Sequence, residues 1–134
     1  MSDATTTQDP ATQLLIEALA RISPEGAWTQ HAFARKFPGG PATQTFSPKA
    51  TCWCSLGACR ALEPPRGTVP FDWHRTAAQA EARLSAWTWA NHACSVEEFN
   101  DDPVRTHAEV LTMFKAAIAA GPLPYQTEQK ENQA

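Results

Sequence analysis

The chain has 134 residues, enough for one domain that buries its own core without metals or disulfides. Hydrophobic residues make up 43%, which excludes a disordered polypeptide, and eleven prolines argue against long strands. The net charge of −3 is uneven: residues 1–30 carry −3, residues 31–70 carry +4 and residues 71–134 carry −4. Such segments either neutralise one another in the fold or leave a basic face for an anionic partner. The start, MSDATTTQDP, lacks the basic and apolar regions of a signal peptide, and no apolar run nears the ~18 residues of a membrane span. The expected setting is the cytoplasm, away from membranes, with four reduced cysteines.

Residues 1–8 are polar and read as a flexible tail. Asp9-Pro10 is a helix start, with aspartate as N-cap and proline at the first helical position. Ala11, Leu14, Leu15, Ala18, Leu19 and Ile22 follow at helical spacing, and Ser23-Pro24 ends the helix. Trp28, Phe33 and Phe37 suggest a short helix over 28–37. Residues 38–50 and 64–75 read as long Pro/Gly-rich loops, with a short helix between them running from Ser55 or Thr51 to Leu62. Thr76-x-x-Gln79 has the form of a capping box and predicts a helix from Thr76 to about Asn91, with Ala80, Leu84, Trp87 and Cys94 on one side. Thr106-x-x-Glu109 opens a last helix, with an apolar stripe of Val110, Leu111, Phe114, Ala117 and Ile118, closed by Gly121-Pro122. The fold class expected is therefore all-α: one domain of four to five short helices over 9–122, with a flexible tail over 123–134. Its core should include Leu15, Leu19, Ile22, Trp28, Leu56, Leu84, Trp87, Val110, Leu111, Phe114 and Ile118.

The densest chemistry lies in 51-TCWCSLGACR-60. Cys52-x-Cys54-x4-Cys59 offers three thiols for zinc, with Cys94 or a histidine as fourth ligand, but the spacing is not that of a paired C-x2-C site. No metal and no cofactor are assigned. Cys54 at a helix start is placed to be a nucleophile, with His74 and His92 as candidate bases and Asn100 or Asp101 to orient an imidazole. The plainer reading is a cysteine packed in the core as a small hydrophobe. Trp28, Arg35, Lys36, Trp53, Arg60 and Trp89 are candidate binding residues, as phosphate and base contacts or as a protein-binding face. An acidic chain overall argues against nucleic acid and in favour of a protein partner. Asn100, Asp101, Arg105, Thr106 and Glu109 read as a structural turn and helix start.

Three segments, 26-GAWTQ-30, 54-CSLGA-58 and 100-NDDPVRTHAEVL-111, give the chain a resemblance to a domain-of-unknown-function family of small actinobacterial and bacteriophage proteins. The likeness runs over roughly residues 11–120. Only Cys54 of the four cysteines falls in the pattern, which weakens a three-thiol metal site, and Phe99 stands where the family pattern has tryptophan. The resemblance implies a fold and a phage or mobile-element setting rather than a reaction. By analogy with small phage proteins it implies a non-enzymatic accessory protein, in the host cytoplasm, that binds a host or viral macromolecule. The alternatives are a thiol-dependent enzyme built on Cys54 and a zinc-stapled nucleic-acid-binding module.

Overall fold

A computed structural model describes residues 9–62, 64 and 66–126, and it is mostly helical with one small sheet. The tail expected at 1–8 and residues 127–134 of the tail expected over 123–134 lie outside the described residues.

Helix α1 (Pro10–Ile22) starts as its sequence dictates. Asp9 Oδ1 accepts from Thr12 N at 3.0 Å, and Pro10 takes the position where a missing N–H costs nothing. Helix α1 buries Ala11, Leu14, Leu15, Ala18 and Ile22.

The helix expected over 28–37 does not form. His31 sits in the left-handed region at φ +65°, and Ala34–Arg35 (β1) pairs antiparallel with Cys52–Trp53 (β2), Ala34 opposite Trp53 and Arg35 opposite Cys52. A parallel bridge from Trp28 to Trp53 adds a third rung. Of the aromatics that suggested a helix only Trp28 joins this ladder, while Phe33 and Phe37 stand exposed, and the fold is mostly helical with one small sheet.

Helix α2 (Ser55–Arg60) follows β2 directly. Its N-cap is Cys54 rather than Ser55 or Thr51, and Sγ accepts from Gly57 N at 3.3 Å. Helix α3 (Pro70–His92) begins six residues before the predicted Thr76, so the expected loop ends at Val69. Pro70 fixes the first helical φ, and no side chain caps the start. Thr76 lies inside the helix, where its hydroxyl donates to Asp72 O at 3.0 Å. Helix α3 ends at Ala93 in the left-handed region, at φ +55°.

Helix α4 (Val96–Asp101) occupies part of the stretch read as a turn. Ser95 and Glu98 form its capping box, with bonds of 3.0 and 3.1 Å. Helix α5 (His107–Ala120) opens on the predicted Thr106–Glu109 box and stops at Gly121, which has φ +75°. Residues 124–126 turn helical again, and Gln126 is buried with its amide toward Gln79 O at 3.4 Å.

Helix α1 packs on α2, α3 and α5, and α3 also contacts α4 and α5. The shared core contains Leu14, Leu15, Ile22, Leu84, Val96, Phe99, Val110, Met113 and Phe114. Each such side chain taken from water contributes about 1.5–3 kcal/mol. Of the expected core, Leu15, Ile22, Leu56, Leu84, Val110 and Phe114 are buried, while Leu19, Trp28, Trp87, Leu111 and Ile118 pack against it half-buried.

Among the described residues one charged side chain is buried. Arg83 is 2% exposed, donating to Asp9 Oδ1 at 3.1 Å and to Ala117 O at 3.2 Å. It ties the start of α1 to α3 and the end of α5. Burial pushes the Asp9 carboxyl upward, but its bonds from Thr12 and the Arg83 charge outweigh this and hold it below its ordinary value.

Candidate functional site

The three sequence segments singled out above meet at Asn100. This side chain is 2% exposed. Its Oδ1 accepts from Trp28 Nε1 at 2.9 Å, Ser55 N at 2.9 Å and Ser55 Oγ at 2.7 Å. Its Nδ2 donates to Thr29 O at 3.2 Å and to Asp101 Oδ1 at 2.9 Å. One amide thus saturates donors from the Trp28 segment and the start of α2, where an unmet group would cost about 1–3 kcal/mol. Gln30 Nε2 adds bonds to Asn100 O at 2.9 Å and Asp102 O at 2.8 Å. On the far side of α2 the contact is steric: a Cβ on Gly57 would stand 1.9 Å from Phe33 O. Only glycine lets α2 lie against β1 so closely.

Beside this knot lies a cleft of about 340 Å³, lined by His31, Phe33, Cys54, Leu56, Val96 and Asp101 among others. Asp101 Oδ1 accepts from the His31 backbone N–H at 2.9 Å, and Asp101 Oδ2 lies 3.8 Å from His31 Nδ1. That bond holds His31 in its left-handed conformation. Cys54 is 8% exposed, and burial pushes its thiol above the ordinary value, against the lowering by the N–H groups of Gly57 and Leu56. No hydrogen bond joins an imidazole to Cys54 among the described residues; the sulfur takes the Gly57 N–H.

The two predicted bases lie elsewhere. His74 is exposed on α3, and His92 packs on Trp87 and Phe99, with ring centroids at 5.1 and 4.7 Å. The imidazole that shares the cleft with Cys54 is His31, which the sequence reading passed over. Its signal was local: a histidine after the Trp28–Gln30 segment, in a stretch read as helix. The other thiols are separate. Cys52 Sγ donates to Arg35 O at 3.8 Å, Cys59 is fully buried on α2 with its pKa raised by burial, and Cys94 follows α3. Among the described residues no three His, Cys, Asp or Glu side chains are grouped to hold a metal ion, so the zinc staple has no ligand set there.

The residues read as a turn and helix start make the following contacts. Arg105 Nε donates to Phe99 O at 2.8 Å, its guanidinium lies 3.7 Å from the centroid of the Phe99 ring, and Asp102 and Glu109 flank it at 3.7 and 3.4 Å. The binding candidates divide. Arg35 is spent inside, on Thr29 Oγ1, Gly40 O and Gln30 O. Trp28 is half-buried and stacked on His107 at 5.9 Å. Trp53 is buried, with Nε1 donating to Thr45 O at 2.8 Å. Lys36 and Arg60 are exposed, and Trp89 is 57% exposed on α3. Arg60 grips Glu81 at 3.0 and 3.1 Å and lies over the Phe33 ring at 4.9 Å.

All three segments lie within one stretch that a family model matches. The chain belongs to a family of unknown function (DUF6197), whose model matches residues 6–120. No curated protein and no solved structure matches the chain. In this DUF6197 chain residues of the 26–30, 54–58 and 100–111 segments build the Asn100 knot, and Cys54, Leu56, Asn100 and Asp101 from the last two also line the cleft. A second concavity, of about 760 Å³, opens on the other side of Arg60 and Phe33, between α1, the 45–50 loop, Trp53 and the end of α2. No helix of the described residues is long and apolar enough to cross a membrane.

Proposed function

We propose that this chain is a non-enzymatic accessory module, in the phage or mobile-element setting its resemblance implies, that binds a partner protein through the 31–62 face. One observation carries the reading: large apolar side chains stand in water on this face, beside two concavities. Phe33 is 42% exposed, Phe37 56% and Phe46 67%, all within fourteen residues of chain. Exposed aromatics gathered on loops beside concave surface are the composition of a contact site rather than of a solvated loop. Arg60 lies between the Cys54 cleft and the larger groove, stacked on Phe33, and joins them into one strip.

The test is a photo-crosslinking phenylalanine analogue placed at Phe33 or at Phe46, with Phe71 as control because it is 70% exposed on α3. One discrete adduct from the first two positions and none from Phe71 is expected. Equal, diffuse labelling at all three sinks the reading.

A thiol-dependent enzyme is the second reading, favoured by the placing of Cys54 and the His31–Asp101 pair in one cleft. It requires the imidazole to take the thiol proton when substrate arrives, because burial keeps Cys54 protonated when the cleft is empty. Alkylation by iodoacetamide at neutral pH separates the two readings. A nucleophile reacts faster than a free thiol, and His31→Ala slows it; a packing cysteine reacts more slowly and ignores His31.

A further inference from the structure

We propose that the larger groove, with Arg21 and Phe46 as its anchors, takes an acidic side chain of the partner next to an aromatic or aliphatic one; this rests on the binding-module reading above. The groove holds two guanidinium groups, and they differ. Arg60 is neutralised by both oxygens of Glu81. Arg21 forms no ion pair and no hydrogen bond among the described residues, and its Nε is buried without an acceptor. Its guanidinium carbon instead lies 4.9 Å from the centroid of the Trp53 ring. Glu17 also lines the groove, but its Oε2 is occupied by Gln13 Nε2 at 3.0 Å. The Nη groups of Arg21, which likewise make no hydrogen bond among the described residues, are left for a carboxylate-type acceptor from outside.

The rest of the lining supplies the apolar half. Phe46, Pro48, Ala50, Leu62 and Pro64 surround the cation. Phe46 is 67% exposed, a ring with one face unspent. The pattern fits a short extended segment with an acid and an apolar residue side by side. A nucleic-acid strand fits less well, because tracking its phosphates takes several free cations and the groove has one, Arg21, among its two guanidinium groups.

The experiment is selection of a displayed random-peptide library on the intact chain, followed by fluorescence polarisation of the enriched peptides on variants. Enriched peptides are expected to carry Asp or Glu within two positions of an aromatic or aliphatic residue. They should bind Arg21→Met about tenfold more weakly. Phe46→Ser, in an exposed loop where folding is not at stake, should weaken them as well, and Trp89→Ser should not. Peptides without an acid, or peptides indifferent to both groove variants, overturn the groove while leaving the module reading standing. No enrichment at all overturns the module reading itself. Tight binding of an oligothymidine that Arg21→Met abolishes, with no acidic peptides enriched, overturns the identity of the occupant.

Discussion

The three long helices and the 27–62 segment are held together by different physics. Helices α1, α3 and α5 meet through apolar side chains, and α1 and α5 are started by caps within four residues of their own ends. The 27–62 segment has a two-residue ladder and a six-residue helix, too little regular structure to stand alone. It is fastened by polar bonds that leap along the chain: Trp28 to Asn100 spans 72 residues and Ser55 to Asn100 spans 45. The helical region is therefore specified locally, whereas the segment that carries both concavities is specified by closure onto a distant amide. A recognition surface built on loops gains rigidity from such a knot without needing a core of its own.

The largest single effect expected lies at the buried ion pair of the helical region, where a polar tie supplements the apolar contacts. Asp9→Ala removes a helix cap and leaves the buried Arg83 without its carboxylate. A cost of about 3–5 kcal/mol is expected in urea denaturation. Asp9→Ala combined with Arg83→Leu should recover most of it, because the orphaned charge rather than the lost bond is the main penalty. Acid tests the same pair. The folded carboxyl of Asp9 titrates below its ordinary value of 3.8. Its contribution is complete above that value and is lost as pH falls through the lower, folded one. Melting temperature followed down through this window should drop less steeply in Asp9→Asn than in the parent, and identical slopes would remove Asp9 from the account.

Asn100→Ala comes next, with about 3 kcal/mol expected. It strands the Trp28 Nε1, the Ser55 N–H and the Ser55 hydroxyl together. Hydrogen exchange sharpens the contrast: amides of β1, β2 and α2 should lose protection while those of α5 keep it. Uniform loss across both regions would show a single cooperative unit and dissolve the distinction. Gly57→Ala probes the same region by steric means. The added methyl overlaps the Phe33 carbonyl, so α2 must move from β1, at a cost of about 2 kcal/mol. A neutral Gly57→Ala would mean that the contact between α2 and β1 is looser than its geometry states.

The same division decided what could be read from sequence. Asp9-Pro10 and Thr106-x-x-Glu109 announced α1 and α5 because each cap lies beside the helix it starts. Thr76-x-x-Gln79 had the same form but sits inside α3, whose real start at Pro70 is uncapped; a capping pattern specifies a start only where the chain before it is not already helical. The Ser95–Glu98 box has the same form and is absent from the sequence reading, which gives the Asn100–Asp101 stretch after it as a turn. Nothing local announces that 28–37 becomes turn and strand, because the reason is the partner strand at 52–53. The site follows suit. The sequence segments around Cys54 and Asn100 were visible, but which histidine faces the cysteine depends on Asp101 seizing the His31 backbone, seventy residues away.

The smallest expected effect has an unusual sign. His31 is held at φ +65°, a conformation that costs a residue with a side chain about 1 kcal/mol, and glycine adopts it freely. The bond that imposes it comes from the backbone N–H, so His31→Gly keeps it. The imidazole itself lies 3.8 Å from Asp101 on a side chain 65% exposed, and such a pair is worth little. His31→Gly should therefore stabilise the chain by about 0.5–1 kcal/mol, seen as a higher urea midpoint at unchanged slope. A stability gain from removing a side chain marks a position whose residue serves something other than folding. Peptide binding in the Arg21 groove should not change, since His31 lines only the Cys54 cleft. If His31→Gly instead destabilises, the imidazole is part of the knot, and the Cys54 cleft belongs to the scaffold rather than to the recognition face.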